Sequence, residues 1–265
     1  MWLELSSELA FDIATPTPFT LMLRPRSGEL QTIVREEYRL TPNVPMTEFT
    51  DGYGNLCQRL VAIPGKFIVA TSATVMAADD LDQTPGAPFI EVAKLPDALL
   101  SYLLPSRYCE SDRFGQMAVE ITGGEVPGYD QVGAILAWLQ ANIRYVPGCS
   151  EAPTSAIEVN QNQFGVCRDL AHLGIALCRS ICIPARFVAG YLYRLEPMEL
   201  HAWFEAYVGG RWFTFDATQP LLRGGYVAIG YGRDAADVAI YNQFGPAVFP
   251  LKQETRVRLI DGMPE

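Results

Sequence analysis

The chain has 265 residues and a hydrophobic content of 49%, enough for a sizeable core in one or two domains. Its formal net charge of −10 offers no basic face to neutralise phosphates, which excludes nucleic acid as an expected partner. No run of 18 apolar residues predicts a membrane span. The N-terminal MWLELSSELAF has no early lysine or arginine, so no secretory signal is expected and the expected location is the cytoplasm.

Six cysteines occur without a secretory signal, which favours reduced thiols over a disulfide framework. No C-x-x-C pair is present, and the histidines are only His172 and His201, so a structural metal is not expected. A phosphate-cradling glycine loop is also missing, and no cofactor is predicted. The six cysteines are Cys57, Cys109, Cys149, Cys167, Cys178 and Cys182.

Residues 3–78 alternate between apolar and polar positions in several short runs, separated by turn signals such as DGYGN. The predicted strands are LELSSELAF, TLMLR, LQTIVREEYRL, LCQRLVAI and KFIVATSATVMA. Their spacing of roughly ten residues favours a small β-sandwich. The polar, proline-bearing residues 79–96 form the candidate linker, which puts a first, β-rich domain at residues 1–96.

Helical patterns follow the linker. PDALLSYLL is predicted as a short helix, and residues 111–121 as another. Residues 130–145 have apolar positions at helical spacing, with Asp130 as the expected N-cap. Ser155 and Glu158 fit a capping box that begins a further short helix.

The stretch FGVCRDLAHLGIALCRSICIPARFVAGY places Cys167 at the start of an apolar helix with no breaker before Pro184. A cysteine in a first helical turn experiences the positive end of the helix dipole, which favours the nucleophilic thiolate. The alternative is a buried structural cysteine, because free cysteines are often buried. Cys167 shares one helix stripe, typical of a core, with Ala171, Gly174, Cys178 and Cys182.

After a strand at residues 185–191, HAWFEAYV and RWFTFDAT are predicted strands joined by Gly209-Gly210, a strong hairpin signal. Val208 then opposes Arg211, and the register puts His201 and Asp216 on one face as diagonal neighbours. Glu205 is a competing carboxylate on the same face. Helices followed by antiparallel strands predict an α+β fold.

A nucleophilic cysteine needs a base and an orienting group. His172 lies five residues after Cys167 on the same helix, rotated away from the sulfur, so it is expected to be a polar or half-buried helix residue. His201 remains as the base, with Asp216 to orient it. The backbone N–H of Cys167 is one candidate oxyanion donor.

A second oxyanion donor is sought in the polar loop before Cys167. Its candidates are the side chains of Gln161, Asn162 and Gln163. Trp203 is a candidate apolar wall for the substrate.

Three stretches together resemble the catalytic core of bacterial transglutaminase-like proteins, which are papain-related thiol enzymes. They are GVCRDLAHL, IPARFVAGY and HAWFEAYVGGRWFTFDAT. The resemblance implies a catalytic Cys-His-Asp triad at Cys167, His201 and Asp216. It also implies a transglutaminase-like core at residues 97–265, with the cysteine helix packed on an antiparallel sheet. TEFTDGYGNLCQRL is similar to the β-rich domain that precedes this core in one bacterial subgroup. FDAT departs from the Asp-Pro found in many members.

The resemblance implies acyl transfer on a peptide or protein amide substrate. Hydrolysis, as in a cysteine peptidase or amidase, is favoured because it needs no site for an acceptor amine. Transamidation is the second hypothesis. A binding module that kept the fold without catalysis is the alternative from another class. No oligomeric state is predicted.

Overall fold

Antiparallel strands occupy most of the first 77 residues in the computed structural model, which describes residues 1–262. All five runs predicted as strands overlap strands of the structure, and one further strand, β4, lies between the third and fourth of these runs. The strands are β1 (Trp2–Ile13), β2 (Thr17–Leu21), β3 (Gln31–Thr41), β4 (Met46–Thr50), β5 (Leu56–Ala62) and β6 (Gly65–Ala77).

These strands form two facing sheets that are completed from the other end of the described chain. β13 (Tyr241–Gln243) and β14 (Lys252–Leu259) supply the missing edges, giving the orders β14-β1-β6-β3 and β13-β2-β5-β4. Between the sheets lie fully buried aromatic side chains, with the rings of Phe11 and Phe19 5.3 Å apart. Alternation of apolar and polar residues along β1 and β6 produces this core because successive side chains point to opposite faces.

β14 forms one edge of the first sheet. In the structure β14 pairs with β1 along eight residues, from Leu3↔Leu259 to Ala10↔Lys252. Strands from both ends of the described chain therefore build the sandwich. The division into domains at residue 96 stays a prediction.

The helices follow the candidate linker. Three short 3₁₀ helices, Val92–Lys94, Asp97–Leu103 and Ser111–Arg113, precede four α-helices. The α-helices are α1 (Gly115–Thr122), α2 (Tyr129–Asn142), α3 (Ala156–Asn162) and α4 (Cys167–Ser180). Two short strands lie between them, β7 (Arg144–Tyr145) and β8 (Phe164–Gly165), and these pair in parallel.

Two capping predictions have different outcomes. Glu158 accepts a hydrogen bond from the backbone N–H of Ser155 at 2.7 Å, which confirms the capping box of α3. The prediction that Asp130 caps α2 is wrong, because the N-cap is Gly128, two residues earlier, and Asp130 lies inside the helix. Asp130 accepts instead from the backbone N–H of Gly86, at 2.9 Å, and so ties the linker to the helix.

A third antiparallel sheet lies against α4. Its strands are β9 (Ala185–Leu192), β10 (His201–Val208), β11 (Arg211–Phe215) and β12 (Tyr226–Gly232), in the order β11-β10-β9-β12. The β10–β11 register starts at Val208↔Arg211, as predicted. Gly174 allows α4 to approach the sheet closely, since a Cβ there would lie 2.6 Å from the ring of Phe204. This is the α+β architecture expected from the sequence.

Side-chain amides of the sandwich bind the outer edge of β12. Gln31 donates to the carbonyl of Ala228 at 2.8 Å and accepts from its N–H at 2.6 Å. Asn55, from the DGYGN turn, makes the same pair of bonds with Tyr231, at 2.7 and 2.8 Å. Each amide reproduces the hydrogen bonds that a neighbouring strand would make. The sandwich is therefore bound to the sheet through backbone groups of β12.

A buried arginine joins the other elements around α4. Arg179, near the end of the helix, is 3% exposed. Its guanidinium donates to the backbone carbonyls of Leu104, Ala185 and Arg233 at distances from 2.6 to 3.1 Å. It also donates to the hydroxyl of Ser106 at 3.0 Å. Three separate segments thus depend on one side chain.

Candidate active site

Cys167 is the first residue of α4 and is half-buried. Two neighbours in the motif GVCRD explain why the helix begins there. Asp169 accepts from the backbone N–H of Val166 at 3.0 Å, which caps the first turn. Gly165 lets the preceding loop lie on that carboxylate, since a Cβ at this position would be 2.8 Å from Cβ of Asp169. The thiol is therefore held where free backbone N–H groups of the helix end converge.

Hydrogen bonds of two charged side chains, Arg168 and Asp169, hold the loop that contacts the start of α4. Asp169 is fully buried and accepts from the hydroxyl of Ser150 at 2.9 Å and from Nε of Arg168 at 3.1 Å. Arg168 also donates to the backbone carbonyl of Glu151 at 2.7 Å. These contacts hold residues 150 and 151 against the start of α4.

His201 and Asp216 form a buried pair at the end of the sheet formed by β9 to β12. His201 is the first residue of β10, and Asp216 directly follows β11. Nε2 of His201 lies 2.7 Å from Oδ2 of Asp216, and their side chains are 2% and 1% exposed. A carboxylate only accepts hydrogen bonds, so Nε2 carries the proton. Nδ1 is then the ring nitrogen left for Cys167.

Asp216 is held by two further residues. Its Oδ1 accepts from the backbone N–H of Thr218 at 2.9 Å and from the Thr218 hydroxyl at 2.7 Å. Its Oδ2 accepts from the hydroxyl of Tyr226 at 2.9 Å. Four hydrogen bonds in total therefore stabilise the carboxylate and fix its orientation.

The surroundings favour charges on both partners. Burial lowers the pKa of His201, but the charge and hydrogen bond of Asp216, reinforced by contact with Cys167, outweigh it and raise that pKa to about 10. Burial alone would raise the pKa of Asp216, yet His201 and Thr218 bring it below its ordinary value. The pair can thus hold an imidazolium next to the sulfur.

Trp203 lies beside this pair. It is 2% exposed, its ring stacks on His201 at a centroid distance of 6.1 Å, and it meets Tyr226 edge-on at 5.0 Å. It shields the imidazole and the carboxylate from water, which strengthens their interaction. Its burial places it beside the base rather than on a surface open to a substrate.

The similarity to known proteins includes the residues of this candidate site. The family model described as "Transglutaminase-like superfamily" matches residues 115–217, which run from α1 through Asp216. A crystal structure from Cytophaga hutchinsonii, described as a "Putative Cysteine Protease", is 35% identical to this chain with a TM-score of 0.91. The match covers 100% of this chain and 92% of that one. The chain belongs to the transglutaminase-like superfamily.

A second relative lies among curated proteins. An uncharacterized protein of Mycobacterium leprae (strain TN) is 28% identical over 233 residues, which is 82% of this chain and 82% of the relative. Within residues 1–262 of this transglutaminase-like protein, none of the helices combines the length and apolar character that a bilayer crossing requires.

In this transglutaminase-like site, the predicted loop amides make other contacts. Gln161 lines a surface cleft formed with Gln116 and Glu120 of α1. Gln163 ends α3 with a φ of 57°, and its carbonyl accepts from the backbone N–H of Arg144 at 3.0 Å. Among the hydrogen bonds of residues 1–262, none joins either amide side chain to Cys167. Asn162, the last residue of α3, is exposed.

The other predicted competitors have structural roles in the transglutaminase-like core. Glu205 forms a buried ion pair with Arg186 at 2.6 Å. His172 accepts from the backbone N–H of Ala235 at 3.1 Å and stacks on Tyr108. The prediction that His172 is polar or half-buried is wrong in degree, since it is fully buried, and burial followed by the charges of two arginines lowers its pKa well below 6.5.

The remaining thiols divide by burial. Cys57, Cys109 and Cys178 are buried, and burial raises the pKa of each. The apolar stripe predicted to continue to Cys182 is wrong at its end, because α4 stops at Ser180 and Cys182 is exposed. Access alone therefore does not single out Cys167.

Two residues that support Asp216 were missed in the sequence. Thr218 follows Asp216 by two positions, a spacing at which an Asp side chain commonly accepts from the backbone, so a local signal was present. Tyr226 comes from β12, and its proximity to Asp216 depends on the packing of β12 beside β9. No local pattern indicates that contact.

Proposed function

We propose that this protein is a thiol-dependent enzyme that hydrolyses amide bonds in a peptide or protein substrate through an acyl-enzyme at Cys167. The observation that carries the proposal is the buried His201–Asp216 pair, whose raised imidazole pKa reflects the neighbouring Cys167 at a helix start. Nucleophile, base and orienting carboxylate would then come from three elements, as this chemistry requires. Membership of the transglutaminase-like superfamily supports this assignment.

Each residue has a defined step. His201 takes the thiol proton, and the sulfur of Cys167 attacks the carbonyl carbon while the π electrons move to oxygen. The tetrahedral intermediate collapses, the C–N bond breaks, and the imidazolium gives its proton to the leaving amine. Water, deprotonated by His201, then attacks the thioester carbonyl; the C–S bond breaks, the acid leaves, and the proton on the imidazolium is available to the released sulfur of Cys167. Asp216 keeps the proton of the neutral imidazole on Nε2 and balances the imidazolium charge.

Alkylation tests the nucleophile. In a Cys182→Ser background, which removes the exposed thiol, Cys167 should react with iodoacetamide faster than any other cysteine because only it is paired with a histidine. Peptide mapping after brief labelling measures this. Equal or faster labelling of Cys57, Cys109 or Cys149 contradicts the assignment.

Acyl transfer is tested with p-nitrophenyl acetate and with glutamine-containing peptides plus a fluorescent primary amine. Cys167 should acquire one acetyl group as a thioester, detected by mass, and Cys167→Ser should not be acetylated at position 167. Free acid should exceed amine-linked product. Excess amine incorporation would favour transamidation, and failure of every acyl donor would favour a non-catalytic binding module.

A further inference from the structure

Tyr145 lies on β7, the strand that pairs with β8, which leads to Cys167. In the parallel pairing of β7 with β8, Tyr145 stands opposite Gly165, two residues before Cys167. The next residue, Val146, donates its backbone N–H to the carbonyl of Gly165 at 3.0 Å. The position of this tyrosine relative to the start of α4 is therefore fixed by backbone hydrogen bonds.

The hydroxyl of Tyr145 reaches the other side of the site. It donates to Oε1 of Glu199 at 3.2 Å, and Glu199 precedes His201 by two residues. The contact joins β7, the neighbour of the strand that leads to Cys167, to the loop that leads to His201. Tyr145 is 39% exposed and Glu199 is exposed, so an incoming substrate has access to this hydroxyl.

The surroundings of the phenol keep its proton in place. Burial raises the pKa of Tyr145, and the charges of Cys167 and Glu199 act in the same direction. Asp216 contributes in the same direction. The raised pKa keeps the phenol protonated, so at neutral pH it is a hydrogen-bond donor.

The proposed reaction calls for such a donor. Attack by sulfur puts a negative charge on the carbonyl oxygen, and enzymes of this chemistry stabilise it with fixed donors. The backbone N–H of Cys167, first in its helix, has no partner within the helix and supplies one. The candidate amides Gln161 and Gln163 have no described contact with the thiol.

We propose that the hydroxyl of Tyr145 is the second oxyanion donor, released from Glu199 when a substrate enters. This inference rests on the proposed acyl transfer. The hydroxyl keeps its proton throughout: its hydrogen bond strengthens as the carbonyl oxygen gains charge and weakens when the C=O bond re-forms. The leaving amine still takes its proton from His201. Tyr145 therefore lowers the barrier without entering the proton balance.

Two reagents with different chemistry separate this role from general effects on the thiol. Acylation by p-nitrophenyl acetate passes through a tetrahedral oxyanion, whereas alkylation by iodoacetamide displaces iodide and forms none. In the Cys182→Ser background, Tyr145→Phe should slow acylation by about 100-fold. The rate at which iodoacetamide alkylates Tyr145→Phe should stay within about threefold of the parent rate. Tyr207→Phe, at the far end of β10, is the matched control and should change neither rate.

A second variant tests which member of the contact acts. Glu199→Ala keeps the hydroxyl and removes its resting acceptor, so acylation should be faster, by about two- to tenfold. The inference is overturned if Tyr145→Phe slows acylation by less than about threefold, if it slows alkylation equally, or if Glu199→Ala loses as much rate as Tyr145→Phe. A parent protein that alkylates at Cys167 but never acylates refutes the proposed function itself, and this inference with it.

Discussion

Replacing Asp216 by asparagine should disable the base without unfolding the protein, because the four hydrogen bonds of the carboxylate cannot all be kept. Oδ1 accepts twice from Thr218, and Oδ2 accepts from His201 and Tyr226. An amide has one oxygen and one donor group. The backbone N–H of Thr218 cannot turn away, so the amide oxygen should face Thr218 and the amide nitrogen should face His201.

That orientation selects the wrong tautomer. Nε2 must then accept, which moves the imidazole proton to Nδ1, toward Cys167, where it cannot take the thiol proton. Turning the amide back leaves the N–H of Thr218 unpaired, at about 1–3 kcal/mol, or roughly 5- to 150-fold in the productive population. Loss of the full charge that stabilises the imidazolium adds roughly another tenfold. Acylation should therefore be about 10²–10³-fold slower.

The assay is acylation of Cys167 by p-nitrophenyl acetate in the Cys182→Ser background, with thermal unfolding as the check of folding. Asp237→Asn is the matched control, since Asp237 is also hydrogen-bonded but its partner is Arg233. The reasoning is refuted if folded Asp216→Asn acylates within about threefold of the parent, because the tautomer would then not depend on the carboxylate.

Two predictions concern stability. Arg179→Met should lower the free energy of unfolding by about 3 kcal/mol or more, since buried carbonyls lose their donor. Arg179→Lys should recover part of this loss. A loss below about 1 kcal/mol for Arg179→Met, measured by urea unfolding, contradicts the structural role of Arg179. The raised pKa of His201 stabilises the fold fully below its unfolded value of about 6.5, and this contribution disappears as pH rises toward about 10. The free energy of unfolding measured with urea should therefore fall between these pH values in the parent and much less in His201→Gln. The lowered pKa of Asp216 has the opposite effect: its contribution to stability is lost only as the pH falls below about 3.8. Parallel curves for parent and His201→Gln would contradict the assignment of the charge.

Short-range patterns predicted the centre of the site well. A two-residue turn fixes every pair that follows it, so the β10–β11 register was readable from Gly209-Gly210. That register put His201 and Asp216 on one face, and the structure places their side chains 2.7 Å apart. The start of α4 at Cys167 was also local information, carried by the glycine before it and the capping aspartate after it.

Contacts between distant segments were not readable in the same way. Tyr226 and Arg179 act through elements whose relative placement depends on the whole fold. The full burial of His172 follows from packing against Tyr108, far away in sequence. Cys182 was misjudged for a different reason: a helical period was extended past Ser180, where the helix ends. Periodicity describes a face only while the element lasts.

The two side-chain amides that bind β12 affect how a fragment of this protein would behave. β12 is an edge strand, and an uncovered edge invites pairing with any other extended chain. Gln31 and Asn55 occupy its backbone groups at two points, near Ala228 and Tyr231. A fragment without residues 1–77 would expose this edge, and we expect it to self-associate through β12. The first six strands therefore protect the sheet that carries His201 from pairing with another chain.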